Sequence, residues 1–189
     1  ALWRSWGVEP DLVVGHSVGE LAAAYVSGLL SLADAARLVA VRGKLMGAIP
    51  AGGAMVAIAA PEADVRHALV DGAEISGVNG PRSVVVSGVE AAVLEVAQAF
   101  AARGVRTTRL SVSHAFHSAA MEPILEDLGR VAASVRFETP SIRMVATSEG
   151  DPSQAGYWPH QARNAVFFAR AIEQAARLGA TRFVEIGPD

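Results

Sequence analysis

The chain has 189 residues, 51% of them apolar and 19% charged, enough for a sizeable core in one domain or in one domain carrying a small insert. Formal net charge is −3 and no run of Lys or Arg exceeds a pair, which argues against nucleic acid and anionic membrane as partners. Cysteine is absent, so disulfides, thiolate metal sites and a cysteine nucleophile are excluded, and the composition fits a reducing, cytoplasmic setting. No apolar stretch reaches transmembrane length, and the first residues lack a signal-peptide pattern.

Residues 1–6 read as the tail of a helix closed by Gly7. The apolar run Leu12 to Val14 then meets Gly15-His16-Ser17-Val18-Gly19 and continues with helical spacing to Ala24, predicting a strand, a tight turn and a helix with Ser17 at the apex. Ser31 to Asp34 opens a second helix, which Pro50 to Gly53 ends. Residues 54–59 predict a strand, 61–70 a helix, 74–78 and 83–87 two strands, 90–103 a helix and 105–112 a strand. That order is the split βαβ arrangement of a ferredoxin-like unit, expected over residues 54–112 as an insert. Helices over 118–134 and 164–178 and strands over 142–147 and 181–186 complete an α/β body, residues 1–53 and 113–189, with a mostly parallel sheet covered on both faces. Both ends read as cut from a longer polypeptide.

A sharp turn exposes Ser17, and glycines on either side are expected to remove colliding side chains. The NH of Val18, in the first turn of the following helix, can face an oxyanion. Glu20 reads as a first-turn acid set against the helix dipole. His16 is adjacent to the serine and points to a packing or hydrogen-bonding role. A neutral serine needs a base, and His114 or His117, where the chain returns from the insert, is the candidate; His67 is expected in solvent. Structural histidines are the other reading, and a metal site would need a further ligand that no clustered acid supplies. Arg42 has apolar flanks and is either a surface arginine or a fork for a carboxylate in a dry pocket.

Four motifs occur in order: Gly15-His16-Ser17-Val18-Gly19-Glu20, Arg42-Gly43-Lys44-Leu45-Met46 with Gly53-Ala54-Met55, Ser113-His114-Ala115-Phe116-His117-Ser118, and Glu185-Ile186-Gly187-Pro188. Together they resemble the acyltransferase domain of modular type I polyketide synthases and the discrete malonyl-CoA:acyl carrier protein transacylases, along the whole chain. The resemblance implies an α/β-hydrolase-like body and a two-step transfer of malonyl from malonyl-CoA to the pantetheine thiol of an acyl carrier protein, with no tightly bound cofactor and no metal. It implies Ser17 as nucleophile, His117 as base, the Val18 NH as an oxyanion donor and Arg42 as the grip on the malonyl carboxylate. It also implies the main-chain carbonyl of Gln161 as the orienter of the histidine. His114, Phe116 and Val18 match a pocket that prefers malonyl over methylmalonyl, since Phe116 fills the space of an α-methyl group. Neighbouring synthase domains are the implied covalent partners.

Two other classes stay open: a serine hydrolase or thioesterase, which has no use for Arg42, and an inert structural segment. The family's N-terminal strand with its Gly-Gln-Gly turn is not in this sequence, and one missing oxyanion donor costs on the order of 10² to 10³ in rate. The isolated 189-residue chain is therefore expected to be weakly active or inactive and prone to aggregate. Malonyl loading compared with a chain extended through that strand checks this, and equal rates would refute it.

Overall fold

The structure, a computed structural model, describes residues 2–187. Its elements begin with α1 (Leu2–Ser5), β1 (Leu12–Val14), α2 (Gly19–Ser27) and α3 (Leu32–Ala48). Next come β2 (Ala54–Ile58), α4 (Glu62–His67), β3 (Ala73–Gly80), β4 (Ser83–Gly88), α5 (Glu90–Ala101) and β5 (Thr107–Arg109). A 3₁₀ helix (Ala119–Ile124) leads into α6 (Leu125–Ala132), then β6 (Arg143–Val145), α7 (Tyr157–Arg163) and α8 (Phe168–Arg177).

Local chemistry accounts for the ends of the long helices. α2 stops at Gly28, whose φ of 87° lies in the left-handed region that glycine adopts without strain. Ser31 then caps α3, its Oγ accepting from the Asp34 NH at 3.1 Å while donating to the Asp34 carboxylate at 2.7 Å.

Two sheets form. β1 and β6 pair in parallel, Val14 opposite Val145. β3, β4, β2 and β5 form an antiparallel sheet in that spatial order. Alternation places Val56, Ile58, Val84 and Val86 on the face that α5 covers with Val93, Val96 and Phe100, all in one core. A second core joins Leu21 and Ala24 of α2, Leu38 of α3 and Tyr157 and Trp158 of α7; a third joins Met46, Met121, Leu128 and Ala162.

The segment after α7 connects the two sheets. Val166 accepts from the Val78 NH at 2.8 Å and donates to the Ser76 carbonyl at 3.0 Å, and the next NH, of Phe167, reaches the Thr147 carbonyl at 2.7 Å. Residues 164–167 thus run from the end of β6 to the edge of β3.

Several expectations change. The parallel pairing expected of the body is present but covers only three residues on each of two strands, and the antiparallel sheet lies within residues 54–112. Residues 181–186, expected as a strand, are irregular, with Phe183 and Ile186 exposed and no described strand beside them to supply hydrogen bonds; Pro188 and Asp189 lie outside the described residues, as does Ala1. The helix expected over 118–134 divides at Pro123, which has no NH to give. α8 starts at Phe168 because Val166 is engaged with β3.

Phe100 is among the largest fully buried side chains. Phe100→Ala is expected to cost about 3 to 5 kcal/mol in denaturant unfolding, whereas Val39→Ala, at a position 41% exposed, stays within about 0.5 kcal/mol.

Candidate active site

The turn between β1 and α2 is built from a close backbone approach. A Cβ on Gly15 would fall 2.3 Å from the carbonyl of Gly19, so only glycine fits there. Gly19 has open space around its own Cα, and its role is to be the backbone that Gly15 passes. Ser17 sits between them with φ of 52°, a conformation that residues bearing a Cβ rarely hold. Val18 is half exposed, and its NH meets no acceptor among the described residues.

His117 is brought to this turn across 100 residues of sequence, its Nε2 2.7 Å from Ser17 Oγ. It too has positive φ, 55°, on a tight bend fixed by Ser118 Oγ donating to the Ala115 carbonyl at 2.6 Å. Its Nδ1 lies 3.1 Å from the carbonyl of Gln161 and 2.9 Å from that of Asn164. Two acceptors demand that Nδ1 carry the proton, so Nε2 is the lone-pair nitrogen and Ser17 donates to it. Burial, and then the nearby Arg42 charge, lower the His117 pKa to about 4, against the pull of the two carbonyls. The imidazole is neutral at physiological pH.

Arg42, buried on α3, donates from Nη2 to Ser17 Oγ at 3.2 Å and from Nη1 to the side-chain oxygen of Gln161 at 2.9 Å. Desolvation lowers its pKa to about 10, with Glu20 pulling the other way, so it stays charged. The remaining guanidinium protons meet no acceptor among the described residues.

Glu20 departs from its expected place. It is fully buried, not a solvated first-turn acid, and accepts from the Thr147 NH at 2.8 Å, Tyr157 OH at 2.6 Å, Thr147 Oγ1 at 3.0 Å and Gln161 Nε2 at 3.0 Å. Desolvation pushes its carboxyl above the usual range, opposed by these hydrogen bonds. Nothing near Glu20 in sequence signals this, since every donor lies at least 127 residues away.

The other predicted residues are accounted for. His114 Nε2 donates to the Ile49 carbonyl at 2.8 Å and its Nδ1 accepts from Ser113 Oγ at 2.7 Å, so both ring nitrogens are occupied away from Ser17. Phe116 packs tilted against His114, with ring centroids 5.8 Å apart, and borders the core that contains Met46. His16 lies 2.8 Å from Asn79 Oδ1 and meets the Phe168 ring at 5.3 Å, the packing and hydrogen-bonding role expected of it. His67 is exposed. Among the described residues no group of three or more His, Cys, Asp or Glu is placed to hold a metal, and no helix is long and apolar enough to cross a membrane.

An α/β fold thus carries a serine–histidine pair with a buried arginine beside it. Residues 1–189 match the acyl transferase domain family, and the chain belongs to it. It is 52% identical to the phenolphthiocerol synthesis polyketide synthase type I Pks15/1 of Mycobacterium marinum, covering all of this chain and 9% of that protein. It is 53% identical to polyketide synthase GfsA of Streptomyces halstedii, over 99% of this chain and 3% of that one. Among solved structures it superposes with a TM-score of 0.95 on the acyltransferase domain from the second module of the salinomycin polyketide synthase, at 52% identity, over all of this chain and 46% of that one. An acyl carrier protein S-malonyltransferase from Vibrio cholerae gives a TM-score of 0.90 at 30% identity, covering all of this chain and 66% of that one. The chain therefore spans a small part of the synthases that it resembles.

A histidine that titrates near 4 when folded and near 6.5 when exposed makes the unfolded chain bind the extra proton between those values. Its contribution is complete above pH 6.5 and is lost as pH falls toward 4. Denaturant unfolding across this range is expected to show that decline, and His117→Gln to flatten it.

Proposed function

We propose that this domain moves a malonyl group from malonyl-CoA to the pantetheine thiol of an acyl carrier protein, through an ester on Ser17. The observation that carries the reading is the meeting, at Ser17 Oγ, of a neutral imidazole at 2.7 Å and a buried guanidinium at 3.2 Å.

In the first step Ser17 Oγ attacks the thioester carbonyl as its proton passes to His117 Nε2. The Val18 NH, at the positive end of α2, faces the oxygen on which charge develops. The C–S bond then breaks, and the CoA sulfur leaves with the proton from His117. In the second step the pantetheine thiol gives its proton to His117 and attacks the ester, and Ser17 Oγ recovers a proton as it leaves. Carbonyls of Gln161 and Asn164 steady the imidazolium each time, the place that a carboxylate takes in many hydrolases. No metal or bound cofactor is required by this sequence of steps.

Arg42 supplies the substrate preference. A malonyl carboxylate can share its unsatisfied protons, while an acetyl group leaves those buried protons without an acceptor. His114, Phe116 and Val18 are assigned to the wall that disfavours an α-branch. Each excess methyl there is worth about 1 to 3 kcal/mol. The order β3-β4-β2-β5 supports reading residues 54–112 as a ferredoxin-like unit inserted between residues 1–53 and 113–189 of an α/β-hydrolase-like body. A cytoplasmic location and tethering to neighbouring synthase domains complete the proposal.

Incubation with malonyl-CoA is expected to add one malonyl mass to the wild type and none to Ser17→Ala. Carrier-dependent consumption of that adduct supports the transferase, whereas rapid free malonate with or without carrier would support a hydrolase instead. Arg42→Ala is expected to cost malonyl loading about 2 to 5 kcal/mol, 30-fold or more, and acetyl loading far less.

A further inference from the structure

Glu20 carries a full set of hydrogen bonds yet touches neither Ser17 Oγ nor His117. What it does touch is the side-chain amide of Gln161, a residue whose main-chain carbonyl also holds His117. That amide stands in the middle of the site. Its Nε2 donates to Glu20 Oε2 at 3.0 Å and to the Ser17 carbonyl at 2.9 Å, and its Oε1 accepts from Arg42 Nη1 at 2.9 Å. Glu20 and Gln161 are both completely shielded from solvent, so no water competes for these contacts.

An amide can occupy this space in two orientations, related by exchanging its oxygen and nitrogen. Only one suits the neighbours. A carboxylate oxygen and a main-chain carbonyl both require the NH₂, and a guanidinium, which has no acceptor, requires the oxygen. The reverse orientation would set oxygen against oxygen twice and donor against donor once. Each such buried mismatch costs a desolvated polar group its partner.

We propose that Glu20 is a positioning residue: acting through the Gln161 amide, it holds the Arg42 guanidinium at the site where an anionic acyl group is read. This role rests on the proposed function, in which Arg42 meets the malonyl carboxylate. The relay also reaches the nucleophile, because the same NH₂ anchors the carbonyl of the strained Ser17. Glu20 therefore governs selectivity between charged and neutral acyl groups without contacting either one.

Glu20→Gln tests the relay with little change in volume. The Thr147 NH can only donate, so the new amide must turn its oxygen to that side and its NH₂ toward Gln161. Donor then faces donor, and the Gln161 amide is driven from its orientation. The readout is the ratio of malonyl to acetyl loading on Ser17, measured by intact mass from the two CoA thioesters, with circular dichroism to confirm folding. A role confined to stability would lower both rates alike. Glu20→Gln is expected to reduce the ratio tenfold or more. Gln161→Leu, which cuts the relay while leaving the buried acid in place, is expected to reduce it as well and serves if the first variant fails to fold. The double variant should be no less selective than Gln161→Leu alone. A wild type selective for malonyl whose two single variants keep its ratio would overturn the positioning role and leave the proposed function standing. A wild type that loads both groups equally would overturn both.

Discussion

A carboxyl group with no access to water is the constraint around which this site is arranged. Burying Glu20 is costly, and the cost is offset only because the main chain after β6, the first turn of α7 and the Gln161 amide all donate to it. Those donors are also the means by which distant stretches of chain are held to the turn after β1. Thr147 belongs to both sides of the arrangement, its Oγ1 lying 3.2 Å from the Gly15 carbonyl as well as near Glu20. The catalytic candidates inherit their positions from this cluster: Gln161 fixes Arg42 with its side chain and His117 with its carbonyl.

The strained backbone has the same logic. Ser17 and His117 are the non-glycine residues with positive φ among the described residues, and they are hydrogen-bonded to each other. Such conformations cost on the order of 1 to 3 kcal/mol each and persist where the surroundings over-determine them. Here the surroundings are the Gly15–Gly19 approach on one side and the Ser118–Ala115 bond on the other. Stability has been surrendered at two points, and both are where a hydroxyl and an imidazole meet.

Much of this was legible in the sequence because it is local. The turn around Ser17, the Ser31 cap and the alternation of strands and helices over residues 54–112 all depend on neighbours within a few positions. Motif order located Arg42 and His117, and the family match agrees with the resemblance that those motifs carried. Most of what the sequence hid is non-local. The helical nature of Tyr157–Arg163 is masked by Pro159, although the first turn of a helix asks no NH of that residue. Glu20 obeyed a first-turn rule perfectly and is nevertheless buried, since Thr147, Tyr157 and Gln161 become its neighbours only after folding. The stretch over 181–186 has strand composition, but a strand is defined by its partner.

The short connection between the sheets has a mechanical implication. Asn164 offers its carbonyl to His117, and two residues later Val166 is bonded on both sides to β3. A rigid displacement of the antiparallel sheet must either break those bonds or drag the carbonyl away from the imidazole. The alignment of the imidazole is consequently geared to the pose of a sheet that donates no side chain to the serine–histidine–arginine cluster.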